Sequence, residues 1–238
     1  MIVAQLLLST LPQDCYGRLR PSLEPVTLSL AEVIYEPHER PAYVHFPTTA
    51  VISVLYTMQN GSTAEIGLVG NDGLIGISLF LGGDTGPRRA VVQIAGHAYR
   101  MPAAVLQEEF ARGGPFQKML LRYTCALISQ ISQTAVCNRL HSVEQRLCRW
   151  LLLMQDRTNS DELPLTQEFI SSMLGDRRET ITIAAGRLQS AGVIHYVRGH
   201  ISILDRQGLE AHSCECYRIV KAELAQLFGT GKSVGYHA

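Results

Sequence analysis

Residues 165–204 read LTQEFISSMLGDRRETITIAAGRLQSAGVIHYVRGHISIL, two helix patterns and a hairpin pattern in succession. Thr166 is placed to cap a first helix, and Phe169, Ile170, Met173 and Leu174 follow at three-to-four spacing. Gly175 stands where a helix-ending glycine is expected. Asp176 is in position to cap a second helix, with Glu179 three residues on in a capping-box-like pair. In that helix Ile181, Ala184, Ala185 and Leu188 fall at i, i+3, i+4 and i+7, which predicts one buried stripe. Arg177, Arg178, Glu179, Thr182 and Ile183 are left on the opposite face. Gly192 ends the pattern, and Val193–Tyr196 and His200–Leu204 alternate like short strands around an Arg198-Gly199 turn. Two helices joined by a glycine turn and followed by a two-stranded wing describe a winged helix-turn-helix. Such a unit places the start of its second helix in the major groove of DNA, where arginine can donate two bonds to guanine and glutamate can accept one from cytosine N4. The plain alternative is a pair of packed helices with a solvated charged face. The order of Thr-Gln-Glu, Gly-Asp-Arg-Arg-Glu-Thr and the Arg-Gly turn favours the first reading.

Outward from this stretch, 238 residues suit one large or two small domains, and an apolar share of 46% is ample for a core. The start, MIVAQLLLSTL, lacks the basic segment and cleavage site of a signal peptide and reads as a short packed helix. No apolar run approaches a membrane span, so the reading is a cytoplasmic protein with no membrane partner. Net charge is zero, with 21 basic and 21 acidic residues, which argues against a generic polyanion binder. Residues 141–238 carry eleven of each sign, so phosphate affinity there must come from a few placed groups, Arg177, Arg178 and Arg198, and from helix N-termini. The six cysteines, Cys15, Cys125, Cys137, Cys148, Cys214 and Cys216, are scattered and read as buried small hydrophobes rather than a disulfide framework.

In chain order, residues 2–20 look helical and amphipathic. From Pro25 to Met101 about eight short strands are expected, which suggests an antiparallel barrel or roll. Asn60-Gly61 is read as a type I′ turn joining Val51–Met58 to Thr63–Val69. Pro102 suits the first position of a helix over Ala103–Ala111. After Gly113-Gly114, Pro115 opens a longer helix whose Phe116, Leu120, Tyr123, Leu127 and Ile131 form a stripe. That stripe is read as a homodimer seam in preference to packing on the chain's own roll. A break at Leu140-His141-Ser142 is the expected hinge. Ser142 with Gln145 forms a capping box for a helix over Val143–Arg157. Thr158–Pro164 reads as a polar loop, Asp205–Gly208 as a turn, Leu209–Phe228 as a final helix and Thr230–Ala238 as a frayed tail. The fold class is therefore α+β. Residues 1–114 form a roll with flanking helices, 115–141 the dimerisation helix and hinge, and 142–238 the winged helix-turn-helix with an added helix.

Over nearly its whole length the chain resembles the CRP/FNR family of bacterial transcription regulators. The likeness rests on the Thr-x-Gln/Glu-Glu-like first helix, the glycine turn and a recognition helix opening Arg178-Glu179-Thr180. It implies a homodimer on a two-fold DNA site, with double-stranded DNA, a second copy of the chain and RNA polymerase as partners, and no enzymatic activity. By the same resemblance Arg178 and Glu179 read bases, and Thr166, Gln167, Arg177 and Thr180 meet phosphates; to these the sequence adds Thr182 and Ile183 as candidate base readers and Arg198 and His200 as candidate phosphate contacts. Ile183 stands where many members carry a second base-reading arginine; an exposed isoleucine suits a thymine methyl, so the half-site should differ.

The resemblance also locates an effector pocket at Gly76, Ile77, Ser78, Arg88, Arg89, Ile131 and Ser132. Cyclic-AMP-binding members hold the ribose with a glutamate and the phosphate with Arg-Ser-Ala; here Ile77 replaces the glutamate and Arg89 the serine. An isoleucine cannot accept the ribose bond, and an unpaired polar group costs about 1–3 kcal/mol. Ordinary cyclic AMP is therefore not expected, and an unidentified anionic effector at Arg88 and Arg89, or none, is left open. Members with an iron–sulfur cluster use closely spaced N-terminal cysteines, where this chain has only Cys15. On a continuous helix His212 and Cys216 would share a face with Cys214 opposite, so no metal site is expected there. A redox role for Cys125 or Cys137 would need a lowered thiol pKa. His97 reads as a surface residue rather than a haem ligand. The other reading kept is a sensor that acts through protein partners instead of DNA.

Overall fold

The computed structural model describes residues 5–83 and 85–229; the expected tail at Thr230–Ala238 lies outside them. The helical N-terminal stretch consists of two helices, α1 (Leu6–Ser9) and α2 (Gln13–Leu19). Pro12, which has no N–H to donate, stands at the start of α2 and divides them.

Seven strands follow: β1 (Glu24–Leu28), β2 (Val33–Tyr35), β3 (Tyr43–Pro47), β4 (Val51–Thr57), β5 (Thr63–Val69), β6 (Arg88–Ile94) and β7 (Gly96–Pro102). They make two antiparallel sheets, in the orders β1-β7-β3 and β2-β6-β4-β5. The chain passes between the sheets at Gly96, where a Cβ would lie 2.6 Å from the Ala50 nitrogen. The β4–β5 hairpin is where expected, but its turn is not type I′. Met58 N–H bonds the Ser62 carbonyl at 2.8 Å and Gly61 N–H the Met58 carbonyl at 2.9 Å, with only Gly61 left-handed, at φ 81°. This is the three-residue loop with a glycine bulge.

Pro102 ends β7 and caps α3 (Ala103–Ala111) from outside, one residue earlier than expected. The long helix is α4 (Pro115–Leu140). Its stripe is turned the other way from the dimer-seam reading: Phe116, Leu120, Tyr123 and Leu127 are buried in the chain's own core, with Leu74, Leu79 and Met101, and Ile131 is packed against it. The roll has an apolar face of its own to cover, and this stripe covers it. Leu121, Ile128 and Val136 lie on the outer face and are exposed.

The chain breaks at His141 and re-enters helix in α5 (Val143–Thr158), with the Ser142–Gln145 capping box formed. The expected polar loop contains a short strand, β8 (Glu162–Leu163). Next come α6 (Gln167–Leu174), α7 (Arg178–Ser190), β9 (Ile194–Val197) and β10 (His200–Ile203); the wing sheet has the order β8-β10-β9. The final helix is also two, α8 (Arg206–His212) and α9 (Cys216–Leu227), so the expected turn at Asp205–Gly208 runs into the first turn of α8. α9 lies against α4, where the Arg122 guanidinium reaches the Gln226 carbonyl at 2.8 Å.

One apolar cluster runs through both halves, joining Val51, Leu55 and Leu68 of the roll to Trp150, Leu151, Ile170, Met173 and Leu174. Trp150 Nε1 donates to Glu65 Oε1 at 3.0 Å, and Arg157 Nη2 lies 2.9 Å from Asp72 Oδ2 with both side chains largely buried. No helix among the described residues is long and apolar enough to cross a membrane.

Candidate nucleic-acid interface

The helix-turn-helix is assembled much as its sequence asks. The Thr166 hydroxyl accepts the Phe169 N–H at 3.2 Å and caps α6. Gly175, at φ 64°, ends it, and Asp176 N–H closes on the Ser171 carbonyl at 3.1 Å. One expected cap does not form. Asp176 is drawn to the buried Arg146 guanidinium, which also reaches the Leu174 carbonyl at 3.2 Å. α7 therefore starts at Arg178, with Arg177 as a cap residue that offers no side-chain bond.

On α7 the stripe Ile181, Ala184, Ala185 and Leu188 is buried, while Arg177, Arg178, Glu179, Thr182 and Ile183 are exposed, Ile183 by 58%. Thr180 and Gln167 are half-buried. The Thr182 hydroxyl lies 3.0 Å from Gln167 Oε1 and ties the two helices together. At the wing turn Arg198 (φ 44°) and Gly199 (φ 84°) are both left-handed, as a two-residue type I′ hairpin requires. A Cβ on Gly199 would stand 3.3 Å from Thr166 Cγ2, so the wing tip sits against the start of α6. Thr166, Gln167, Glu168, Arg178, Tyr196, Arg198 and Gly199 line one open groove. His200 is exposed at the start of β10. Glu168 and Tyr196 were missed as groove residues, because their place there depends on the wing folding back over α6.

The expected effector residues come together only in part. Gly76, Ile77, Arg88 and Ile131 line a roll cavity with Tyr35 and Leu127; Ser78, Arg89 and Ser132 do not. Arg89 is paired with Glu36 at 3.1 Å, and Ser132 is exposed on α4. The cavity measures about 20 Å³, room for about one water. Burial pushes the Tyr35 hydroxyl pKa up, and the Arg88 charge pulls it partly back.

Residues 145–212 match the Crp-like helix-turn-helix domain. Over most of the chain the fold is similar to solved structures of transcription regulators that carry such a domain. The fold likeness extends to FixK2 from Bradyrhizobium japonicum, at 17% identity and TM-score 0.69 over 81% of this chain and 98% of that one. A putative crp/fnr-family regulator from Eubacterium rectale gives 16% and 0.66 over 89% and 97%. The c-di-GMP responsive regulator CLP of Xanthomonas campestris gives 14% and 0.64 over 81% and 99%. No curated protein sequence matches the chain.

The chain also holds a group that its sequence order conceals. Cys137, His141, Cys214 and Cys216 converge, although Cys214 and Cys216 were expected on one continuous helix with His212. The helix is broken at Ser213, and His212 turns away toward Glu144, Nδ1 to Oε1 3.4 Å. The signal available in sequence was the i, i+4 pair Cys137 and His141 at the end of α4.

Proposed function

We propose that the chain is a homodimeric, sequence-specific regulator of transcription that sets two copies of α7 into successive major grooves of a two-fold DNA site. The observation that carries this reading is the open groove at the start of α7. Arg178 lines it beside Gln167 and the wing, and the apolar stripe of the same helix is anchored behind. Arg178, Glu179, Thr182 and Ile183 then face base edges. Thr166, Gln167, Arg177, Thr180, Arg198 and His200 face the backbone, and the uncapped positive end of α7 adds to them. RNA polymerase is the machinery such a regulator acts on.

The second copy sits on the outer face of α4. Leu121, Cys125, Ile128, Ser132 and Val136 recur there at spacings of three and four, and all are exposed. A parallel pair of helices across a two-fold axis covers them. The roll does not take ordinary cyclic AMP: Ile77 offers no acceptor to a ribose hydroxyl, and a one-water cavity has no room for the nucleotide. Gel-shift selection from genomic fragments tests the reading. Two-fold sites should be enriched over bulk DNA at physiological salt, and an absence of enrichment refutes it.

A further inference from the structure

Cys137 lies in the last turn of α4 and His141 just beyond it, while Cys214 lies in the break between α8 and α9 and Cys216 opens α9. Their four ligand atoms lie within 4.8 Å of one another. Cys137 Sγ is 3.5 Å from Cys214 Sγ, and Cys216 Sγ is 3.4 Å from His141 Nδ1. The three cysteines are 0–3% exposed. Around one tetrahedral ion, with sulfur at about 2.3 Å and nitrogen at about 2.0–2.1 Å, neighbouring donors stand roughly 3.5–3.8 Å apart. The 3.5 Å and 3.4 Å spacings lie at or just under the low end of that range, and with every pair inside 4.8 Å the set closes onto one centre by small side-chain shifts. Thiolates bound to the corners of a four-iron cluster stand farther apart than this set does.

We propose that Cys137, His141, Cys214 and Cys216 form a Cys₃His site for a single zinc ion. Three features around the donors suit that ion. His141 Nε2 lies 3.3 Å from Glu215 Oε2, which fixes the ring with its hydrogen on Nε2 and its Nδ1 lone pair toward the sulfurs. Gln133 Nε2 donates to Cys216 Sγ at 3.0 Å, a bond suited to a thiolate. Three thiolates around Zn²⁺ leave one net negative charge. Arg149, 3% exposed and with Nε unpartnered, supplies a buried positive charge whose field reaches Cys137. A Cys137–Cys214 disulfide would leave Cys216, His141 and Gln133 without a role.

The ion ties the end of α4 to the α8–α9 junction and closes residues 137–216, which include the whole winged unit, into a loop. His141 is also the residue at which α4 gives way to α5, so the ion sets the angle at the hinge. The site stands whether or not the chain binds DNA, and its test is independent of DNA.

Elemental analysis of the full chain, purified without chelator and passed through gel filtration, should find about one zinc per chain. Cys214→Ser and His141→Ala should lose it, while Cys15→Ser keeps it. Should those two variants misfold, the unaltered chain loaded with Co²⁺ gives the direct reading. Intense tetrahedral ligand-field bands with thiolate-to-cobalt charge transfer, abolished by added Zn²⁺, are expected. A folded chain that takes up neither metal, a native Cys137–Cys214 disulfide in the mass spectrum, or iron with labile sulfide in place of zinc would each overturn the proposal.

Discussion

Replacing Glu65 with glutamine should remove a pH-dependent weakness at the joint between the roll and the winged unit. The carboxyl accepts Trp150 Nε1–H at 3.0 Å and the Ser53 hydroxyl. Burial pushes its pKa from 4.5 up to about 7, against the opposing pull of those two bonds and of the Arg149 and Arg157 charges. The folded chain thus holds this proton more tightly than the unfolded chain does. The stability this contributes is fully present below about pH 4.5, falls as pH rises through the window, and is gone above about pH 7. At about 1.4 kcal/mol per unit, the whole change is about 3 kcal/mol. Glutamine stays neutral throughout and keeps an acceptor for Trp150. Urea unfolding at pH 4, 5, 6, 7 and 8 should give near-equal stabilities at pH 4, a gap of about 1 kcal/mol at pH 5, and one that grows to about 3 kcal/mol in favour of Glu65→Gln by pH 8. Trp150 is the only tryptophan of the chain, so its emission should titrate with a midpoint near 7 in the parent and stay flat in the variant. Parallel pH–stability curves for the two proteins would show that the carboxylate is not desolvated at this joint.

Three further outcomes follow from the geometry. Arg178→Ala should cost about 1–3 kcal/mol at one base position of each half-site while leaving nonspecific affinity nearly intact, read by gel shifts on single-base variants of the selected site; an equal loss on all DNA would make Arg178 a phosphate contact. Asp72→Asn leaves the Arg157 guanidinium, 2% exposed, without its carboxylate, and should destabilise the chain by about 3–5 kcal/mol in urea; a change under about 1 kcal/mol would contradict a buried pair. Ile128→Glu on the outer face of α4 should convert a dimer to a monomer in sedimentation, whereas mild oxidation of the parent should cross-link the exposed Cys125 of two copies; an undisturbed dimer in the variant would move the interface elsewhere.

Local order made much of the helix-turn-helix legible. Thr166, Gly175 and the 181–184–185–188 stripe each act through neighbours within a turn or two, and each stands in the structure where its spacing puts it. What escaped was set by partners distant in sequence. Asp176 has the right residue type for a cap, but Arg146, thirty positions earlier, claims it. The α4 stripe has the pattern of a dimer seam, yet apolar periodicity says only that a face is covered, not by what; the roll covers it, and the weaker pattern of Leu121, Ile128 and Val136 is left outside. Cys214 and Cys216 looked divergent because a continuous helix was assumed through Ser213, and the break there turns both toward α4.

The neutral charge of residues 141–238 was the main support for a docking module that avoids DNA, and the structure changes what that sum means. Net charge counts groups wherever they sit, whereas a polyanion meets only those at its surface. Arg146, Arg149 and Arg157 are buried in α5, and Arg206 is held by Asp156 at 2.7 Å and by Glu210 at 3.1 Å. Asp176 is occupied by Arg146 and Glu144 by His212. With those internal partners set aside, the surface formed by the start of α6, the start of α7 and the wing presents Arg177, Arg178, Arg198 and His200 against Glu168 and Glu179. Under the proposed function Glu179 itself faces a base edge. A face with few cations and a formed groove draws little general affinity from phosphates and depends more on base edges, so selectivity rather than tight nonspecific binding is what this charge distribution favours.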